Sequence, residues 1–136
     1  MKIVLDTNVL LVSLPSHSPF HIIFQFLQQG KYELFLRNEI VSEYEEKIGE
    51  RLGVNRTDLH LKELLNYPNV HLIDIFFKGH FIVADPEDDK FVDCAVASGS
   101  DFIVTNDKHY NVLKQVDFPT IHTIKAEDFV QLLINS

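Results

Sequence analysis

Two short apolar runs end in the same way, and together they constrain the fold more than anything else in the chain. Ile3-Val4-Leu5 stops at Asp6-Thr7-Asn8, and Phe102-Ile103-Val104 stops at Thr105-Asn106-Asp107. Each run is too short for a helix and too continuously apolar for a half-exposed strand, so each reads as a strand buried on both faces of a parallel sheet. A carboxylate at the end of such a strand lies at the carboxyl edge of the sheet, where open α/β folds bind ligands. Asp6-Thr7-Asn8 also has a plainer reading, as residues that turn the chain and cap a helix.

Helical and turn signals fill the space between these runs. Residues 9–14 are apolar and give way to a loop marked by Pro15 and Pro19. Residues 20–29 place Ile22, Ile23, Phe26 and Leu27 on one face before Gly30, which reads as the first covering helix. A second strand is expected over 32–36 and a helix over 39–51, stopped by Gly53. Thr57 is expected to cap a third helix through Leu59, Leu61, Leu64 and Leu65, followed by a third strand over 70–73. Over 74–83, Ile75, Phe76, Phe77, Phe81, Ile82 and Val83 surround Lys78-Gly79-His80, the pattern of a hairpin or of an apolar surface packed in the core or a dimer.

Asp85-Pro86-Glu87-Asp88-Asp89 then opens a helix, with Asp85 and Asp88 read as its cap and Gly99 as its stop. After the strand at 102–105 come a short helix over 110–113, a last strand over 120–124 and a terminal helix over 126–134. This alternation predicts a single α/β domain over 1–136: a three-layer α/β/α sandwich with a mostly parallel central sheet of about five strands.

The bulk numbers fit that size and class. A chain of 136 residues, 46% hydrophobic and 24% charged, can bury one sizeable core. It has no apolar run of the ~18 residues a membrane span needs, and no signal-peptide pattern at its start, so a cytoplasmic location is expected. The single cysteine, Cys94, has no internal disulfide partner and sits in an apolar helical stretch, where it reads as a small core residue. A formal charge of -8 argues against a broad basic surface for nucleic acid. It is compatible with acids gathered around divalent cations, which dominate the field near them.

The acids do gather in this topology. If the first and fourth strands are neighbours, Asp6 and Asp107 emerge side by side, with Asp88 and Asp89 at the head of the preceding helix and Glu43 on the helix that follows the second strand. Carboxylates so placed repel one another unless a cation holds them, and an oxygen-only set suits Mg²⁺ or Mn²⁺. Nothing has the Cys/His spacing of zinc. Pro19 interrupts the turn between His17 and His21, and His109, two residues after Asp107, reads as a surface or capping residue. No Ser-His-Asp, Cys-His or Gly-rich phosphate-binding pattern is present.

Ile3-Val4-Leu5-Asp6-Thr7-Asn8-Val9-Leu10, Ser42-Glu43, Asp85 to Ala95 and Asp101-Phe102-Ile103-Val104-Thr105-Asn106-Asp107-Lys108 occur in that order across nearly the whole chain. In this they resemble the PIN domain, the ribonuclease fold of many prokaryotic toxin–antitoxin modules. The resemblance implies catalytic, metal-holding roles for Asp6, Glu43, Asp89 and Asp107, with Thr7, Asn8, Thr105 and Asn106 orienting those carboxylates. Asp93, one helical turn after Asp89, competes with it or adds a ligand; Glu39 competes with Glu43.

Implied with these roles is a Mg²⁺- or Mn²⁺-dependent endoribonuclease that cuts single-stranded RNA without a side-chain nucleophile, leaving a 5′-phosphate and a 3′-hydroxyl. A small antitoxin protein and a homodimer are implied as partners, and no membrane. Two other readings stay open: a catalytically inactive PIN-like domain that binds RNA or protein, and a receiver-like signalling domain with Lys125 after its last strand.

Overall fold

A computed structural model describes residues 1–73, 89–110 and 121–136 of the chain. Within them the elements run β1 (Lys2–Leu5), α1 (Thr7–Ser13), α2 (His21–Gln28), β2 (Glu33–Leu36), α3 (Asn38–Leu52), α4 (Val54–Asn66), β3 (Val70–Leu72), α5 (Lys90–Ser98), β4 (Phe102–Val104), β5 (Thr123–Ile124) and α6 (Ala126–Ile134). The strands form one all-parallel sheet in the order β3-β2-β1-β4-β5. Ile3, Val4 and Leu5 point alternately to opposite faces of the central strand and none is more than 1% exposed, so both faces of the sheet are covered. This is the three-layer α/β/α arrangement that the strand–helix alternation predicts.

The register of the two strands of interest is direct: Leu5 lies opposite Val104, and Ile3 opposite Phe102. Asp6 and Thr105 therefore leave the sheet side by side. Helix α5 packs against β1, β2 and β4, while α3 packs against α1, α4 and α5. On the opposite side of the core α2 joins α1 to α6, and the fully buried Tyr32 donates to the carbonyl of Ile23 at 2.7 Å and meets the Phe129 ring edge-on at 5.2 Å. Cys94 is completely buried and its thiol is pushed up to about 12 by that burial, the behaviour of a small inert core residue.

Several local expectations change. The first covering helix is α1, not α2: helix begins immediately after Asp6, whose extended backbone (φ -60°, ψ 147°) lets its carbonyl accept from the amides of Val9 and Leu10 at 3.0 and 3.1 Å. The polar Thr7-Asn8 pair, which reads as a turn, is the first turn of that helix. Similarly, α4 starts three residues before Thr57. Gly53, at φ 82°, ends α3 and launches α4 at once, and the Thr57 hydroxyl donates back to the Gly53 carbonyl at 2.7 Å from inside the helix. Leu61 and Leu64 are buried there, but Leu59 and Leu65 face outward.

Helix α5 begins at Lys90 and is capped by Asp89, whose Oδ1 accepts from the amides of Phe91 and Val92 at 2.9 and 3.2 Å. At its other end Gly99 takes the left-handed conformation (φ 64°) expected of a helix stop. Beyond β4 a single 3₁₀ turn covers residues 108–110, and α6 has the bounds expected of the terminal helix. The hairpin or contact surface read over 74–83, the capping roles of Asp85 and Asp88, and the remainder of the short helix at 110–113 lie outside the described residues. Among those described, no helix is long and apolar enough to cross a membrane.

Candidate active site

Asp6 occupies the end of the central strand, where the sheet itself fixes its backbone: its amide donates to the carbonyl of Val104 at 3.0 Å. Only 9% of the residue is exposed. Burial pushes its carboxyl above the ordinary range, opposed by hydrogen bonds from the Thr105 hydroxyl and the Thr7 backbone, while the charges of Glu43 and Asp107 push it further up. The Thr105 hydroxyl donates to Asp6 Oδ2 at 2.7 Å and accepts from the Asp107 amide at 3.0 Å. One hydroxyl thus ties the Asp6 carboxylate to the backbone that carries Asp107.

Glu43 is brought to the same edge by α3, and the neighbouring Tyr44 sets the helix in place. Tyr44 is fully buried and donates to the Leu5 carbonyl at 2.5 Å, pinning α3 to the last residue of β1. With Tyr44 fixed, Glu43 faces the first turn of α1, where the Thr7 hydroxyl donates to its Oε2. Its other oxygen, Oε1, lies 2.9 Å from the ammonium of Lys90 at the head of α5. Desolvation raises the Glu43 carboxyl, but the Thr7 bond and the Lys90 charge outweigh it and hold the group below its ordinary value.

Asp89 and Asp107 complete the set less directly. Asp89 spends Oδ1 on the amides of α5 and also takes a hydrogen bond from the Tyr110 hydroxyl. Burial, and then Asp89, push that phenol far above its usual range, so it stays protonated; it also feels the charges of Asp6 and Asp107. The phenol thus feels three of the four carboxylates. Asp107 accepts from the His109 amide at 2.9 Å and faces the His109 ring at 3.1 Å, which gives His109 the exposed, local role expected for it.

The competing acids go elsewhere. Asp93 is 3% exposed and its Oδ2 lies 3.5 Å from Nη1 of the buried Arg37, whose Nη2 reaches Glu39 at 3.1 Å. Arg37, at the head of α3, thus engages both rivals. Asn106 turns its side chain to the amide of Ala126 at 3.0 Å, at the start of α6, and Asn8 is exposed on the first turn of α1. Sequence reasoning did not single out Tyr44, Lys90, Tyr110 or Arg37. Lys90 carries a signal only once α5 is seen to begin there, because a cation at the first position of a helix opposes the macrodipole and needs a reason to be there.

The arrangement is an acidic, oxygen-only edge whose most buried member, Asp6, is destabilised by desolvation and by like charges. That donor chemistry fits a hard divalent cation. Among the described residues, however, no three acid, histidine or cysteine side chains stand around one point as they would around a bound ion. Beside the carboxylates, a cavity of about 310 Å³ opens between the ends of β4 and β5, lined by Asp107, Lys108, Lys125 and Asp128 among others.

Comparisons with known proteins agree with this fold. No curated protein sequence matches the chain. In three dimensions it is similar to a solved structure of VapBC2 from Rickettsia felis bound to a DNA fragment from their promoter: TM-score 0.63 at 14% identity, covering 92% of this chain and 98% of that one. At that identity the likeness concerns the fold. A family model described as PIN domain matches residues 2–109, a span holding β1 to β4 and all four carboxylates of the edge. PIN domains are generally nucleases that hydrolyse phosphodiester bonds, and they usually use divalent metal ions. With the family model, the parallel sheet and the acidic strand ends in agreement, the chain belongs to the PIN domain family.

Proposed function

We propose that the protein is a metal-dependent endoribonuclease acting on single-stranded RNA, and the toxin of a toxin–antitoxin pair. The observation that carries the reading is Asp6: a carboxylate buried at the end of the central strand, facing the charges of Glu43 and Asp107, with a threonine hydroxyl aimed at it. A fold rarely retains such a group without use, because its burial works against stability.

Asp6, Glu43, Asp89 and Asp107 would hold one or two Mg²⁺ or Mn²⁺ ions. When bound, such an ion supplies Lewis-acid chemistry, acidifying water and neutralising charge on the phosphodiester. The protein's own groups do the positioning. Thr105 and Thr7 orient Asp6 and Glu43, and Tyr110, held protonated, steadies Asp89. Lys108 and Lys125 flank the adjoining cavity, where a nucleic-acid backbone can run past the acidic edge. An antitoxin partner, a homodimer and a cytoplasmic location belong to the same proposal, supported by the resemblance to toxin PIN domains and by a structural neighbour captured as VapBC2 on DNA.

The test is cleavage of a 5′-labelled single-stranded RNA by purified parent, Asp6→Asn and Asp107→Asn proteins, with Mg²⁺, with Mn²⁺ and with EDTA. The parent should cut only with metal, leaving 3′-hydroxyl ends, and both variants should lose at least about 10²-fold in rate. Equal cutting by Asp6→Asn would sink the proposal.

One observation favours a second reading, an inactive PIN-like domain that binds RNA or protein: Glu43 is already paired with Lys90, and the described acids are not gathered around a point. Under that reading the parent binds RNA, cuts none, and shows no metal affinity that depends on Asp6.

A further inference from the structure

Lys90 has no structural explanation in its own helix. It is the first residue of α5, where the amide dipoles already present positive charge, so a cation there is mildly unfavourable. What holds it is mainly across the interface: its ammonium lies 2.9 Å from Glu43 Oε1, with the two side chains 29% and 28% exposed, and the same Nζ stands over the Phe91 ring, 5.3 Å from the centroid. Other groups facing Glu43 are the Thr7 hydroxyl, the Asp6 carboxylate and, at longer range, Lys47 on its own helix. Both Glu43 oxygens are therefore engaged, one by a neutral donor and one by a monovalent cation.

We propose that Lys90 is an internal counter-cation, which holds Glu43 in the metal-free protein and must be displaced when a divalent ion loads. This rests on the metal-dependent nuclease reading and adds to it a control on loading. Repulsion disfavours an ammonium and a divalent ion side by side on one carboxylate, so an ion taking Oε1 gains that ligand only by breaking the pair. The pair thereby weakens metal affinity while it relieves repulsion between Glu43 and Asp6 in the empty site.

The experiment is calorimetric titration of MnCl₂ into the parent, Lys90→Met, Lys90→Gln, Lys90→Arg and Asp6→Asn proteins, with melting temperatures in EDTA. Lys90→Met keeps an unbranched apolar chain of similar length without the charge, and Lys90→Gln serves as a second neutral variant. Both should bind Mn²⁺ about fivefold more tightly than the parent, the scale of one partly screened charge, and melt lower in EDTA. Lys90→Arg keeps the charge and should stay near the parent affinity. If the neutral variants bind Mn²⁺ no more tightly while Asp6→Asn loses affinity, the counter-cation role is wrong and the metal site stands. If the parent binds no Mn²⁺, or Asp6→Asn binds it as the parent does, the metal reading fails and this inference with it.

Discussion

Replacing Thr105 by valine isolates the hydroxyl that joins the two acidic strand ends. The change keeps the branched shape in a site only 4% exposed, so packing is nearly conserved while two hydrogen bonds disappear: the 2.7 Å donation to Asp6 Oδ2 and the 3.0 Å acceptance from the Asp107 amide. A hydrogen bond to a charged group is worth about 1.5–3 kcal/mol and a neutral one about 1 kcal/mol, so the loss at pH 7.5 should be about 3 kcal/mol, or roughly a 10 °C fall in melting temperature. The loss should shrink to about 2 kcal/mol as the pH falls through the raised Asp6 value, because a protonated carboxyl is then only a neutral acceptor and both bonds count as neutral ones. Urea denaturation in EDTA at pH 7.5 and at pH 4.5 measures both numbers. Thr105→Ser, which keeps the hydroxyl, should lose no more than about 1 kcal/mol at either pH. A Thr105→Val loss under about 1 kcal/mol at pH 7.5, or one that does not change with pH, would refute the view that this hydroxyl restrains an ionised Asp6.

The other predictions concern the same edge. Burial holds the Asp6 carboxyl above its unfolded value, so the folded state binds its proton more tightly; stability from this group is fully present below the unfolded value of 3.8 and is lost as pH rises through the folded one. In EDTA, Asp6→Asn should therefore melt higher than the parent at pH 7.5 and lose less stability between pH 4 and 7.5; matching pH profiles by calorimetry would contradict this. Tyr44→Phe leaves the Leu5 carbonyl without its 2.5 Å donor in the core and should cost about 1–3 kcal/mol by urea denaturation, with a loss of nuclease rate from a displaced Glu43. Asp89→Ala removes the cap of α5 and should cost about 0.5–2 kcal/mol, whereas Asp89→Asn keeps most of the cap, so that any loss of metal affinity in it is separable from the loss of fold.

What the chain disclosed in advance was governed by periodicity and by strand ends. The uninterrupted apolar run of β1 and its counterpart at β4 read as buried parallel strands, whereas their adjacency entered only as a condition and is fixed by the observed sheet order. Helix starts were less legible, because Asp, Thr and Asn are equally at home in turns, at caps and in first turns. That ambiguity concealed α1 behind Thr7-Asn8 and left Asp89, read as an acid of the site, unrecognised as the cap of α5. Partners across elements were the least accessible. Nothing in the local pattern says that Tyr44 reaches Leu5, that Arg37 takes Asp93 and Glu39, or that Lys90 finds Glu43, since each pair depends on helix rotation against the sheet. The rivalry between Asp89 and Asp93 shows the same limit: two residues one turn apart share a face by spacing, yet one caps its helix beside Tyr110 and the other lies buried against Arg37.

Asn106 sits between the two residues that serve the acidic edge, yet its side chain leaves that edge to hold the first amide of α6. The start of the last helix is in this way braced against the acidic edge by an amide 20 residues away in sequence, in addition to the packing of its body on α2. For anyone handling the protein, the two ends of α6 are then unequal. A change near Ile134 at the far end leaves the Asn106 contact alone, whereas a linker inserted between Lys125 and Ala126 would slacken the acidic edge from behind without touching a single carboxylate.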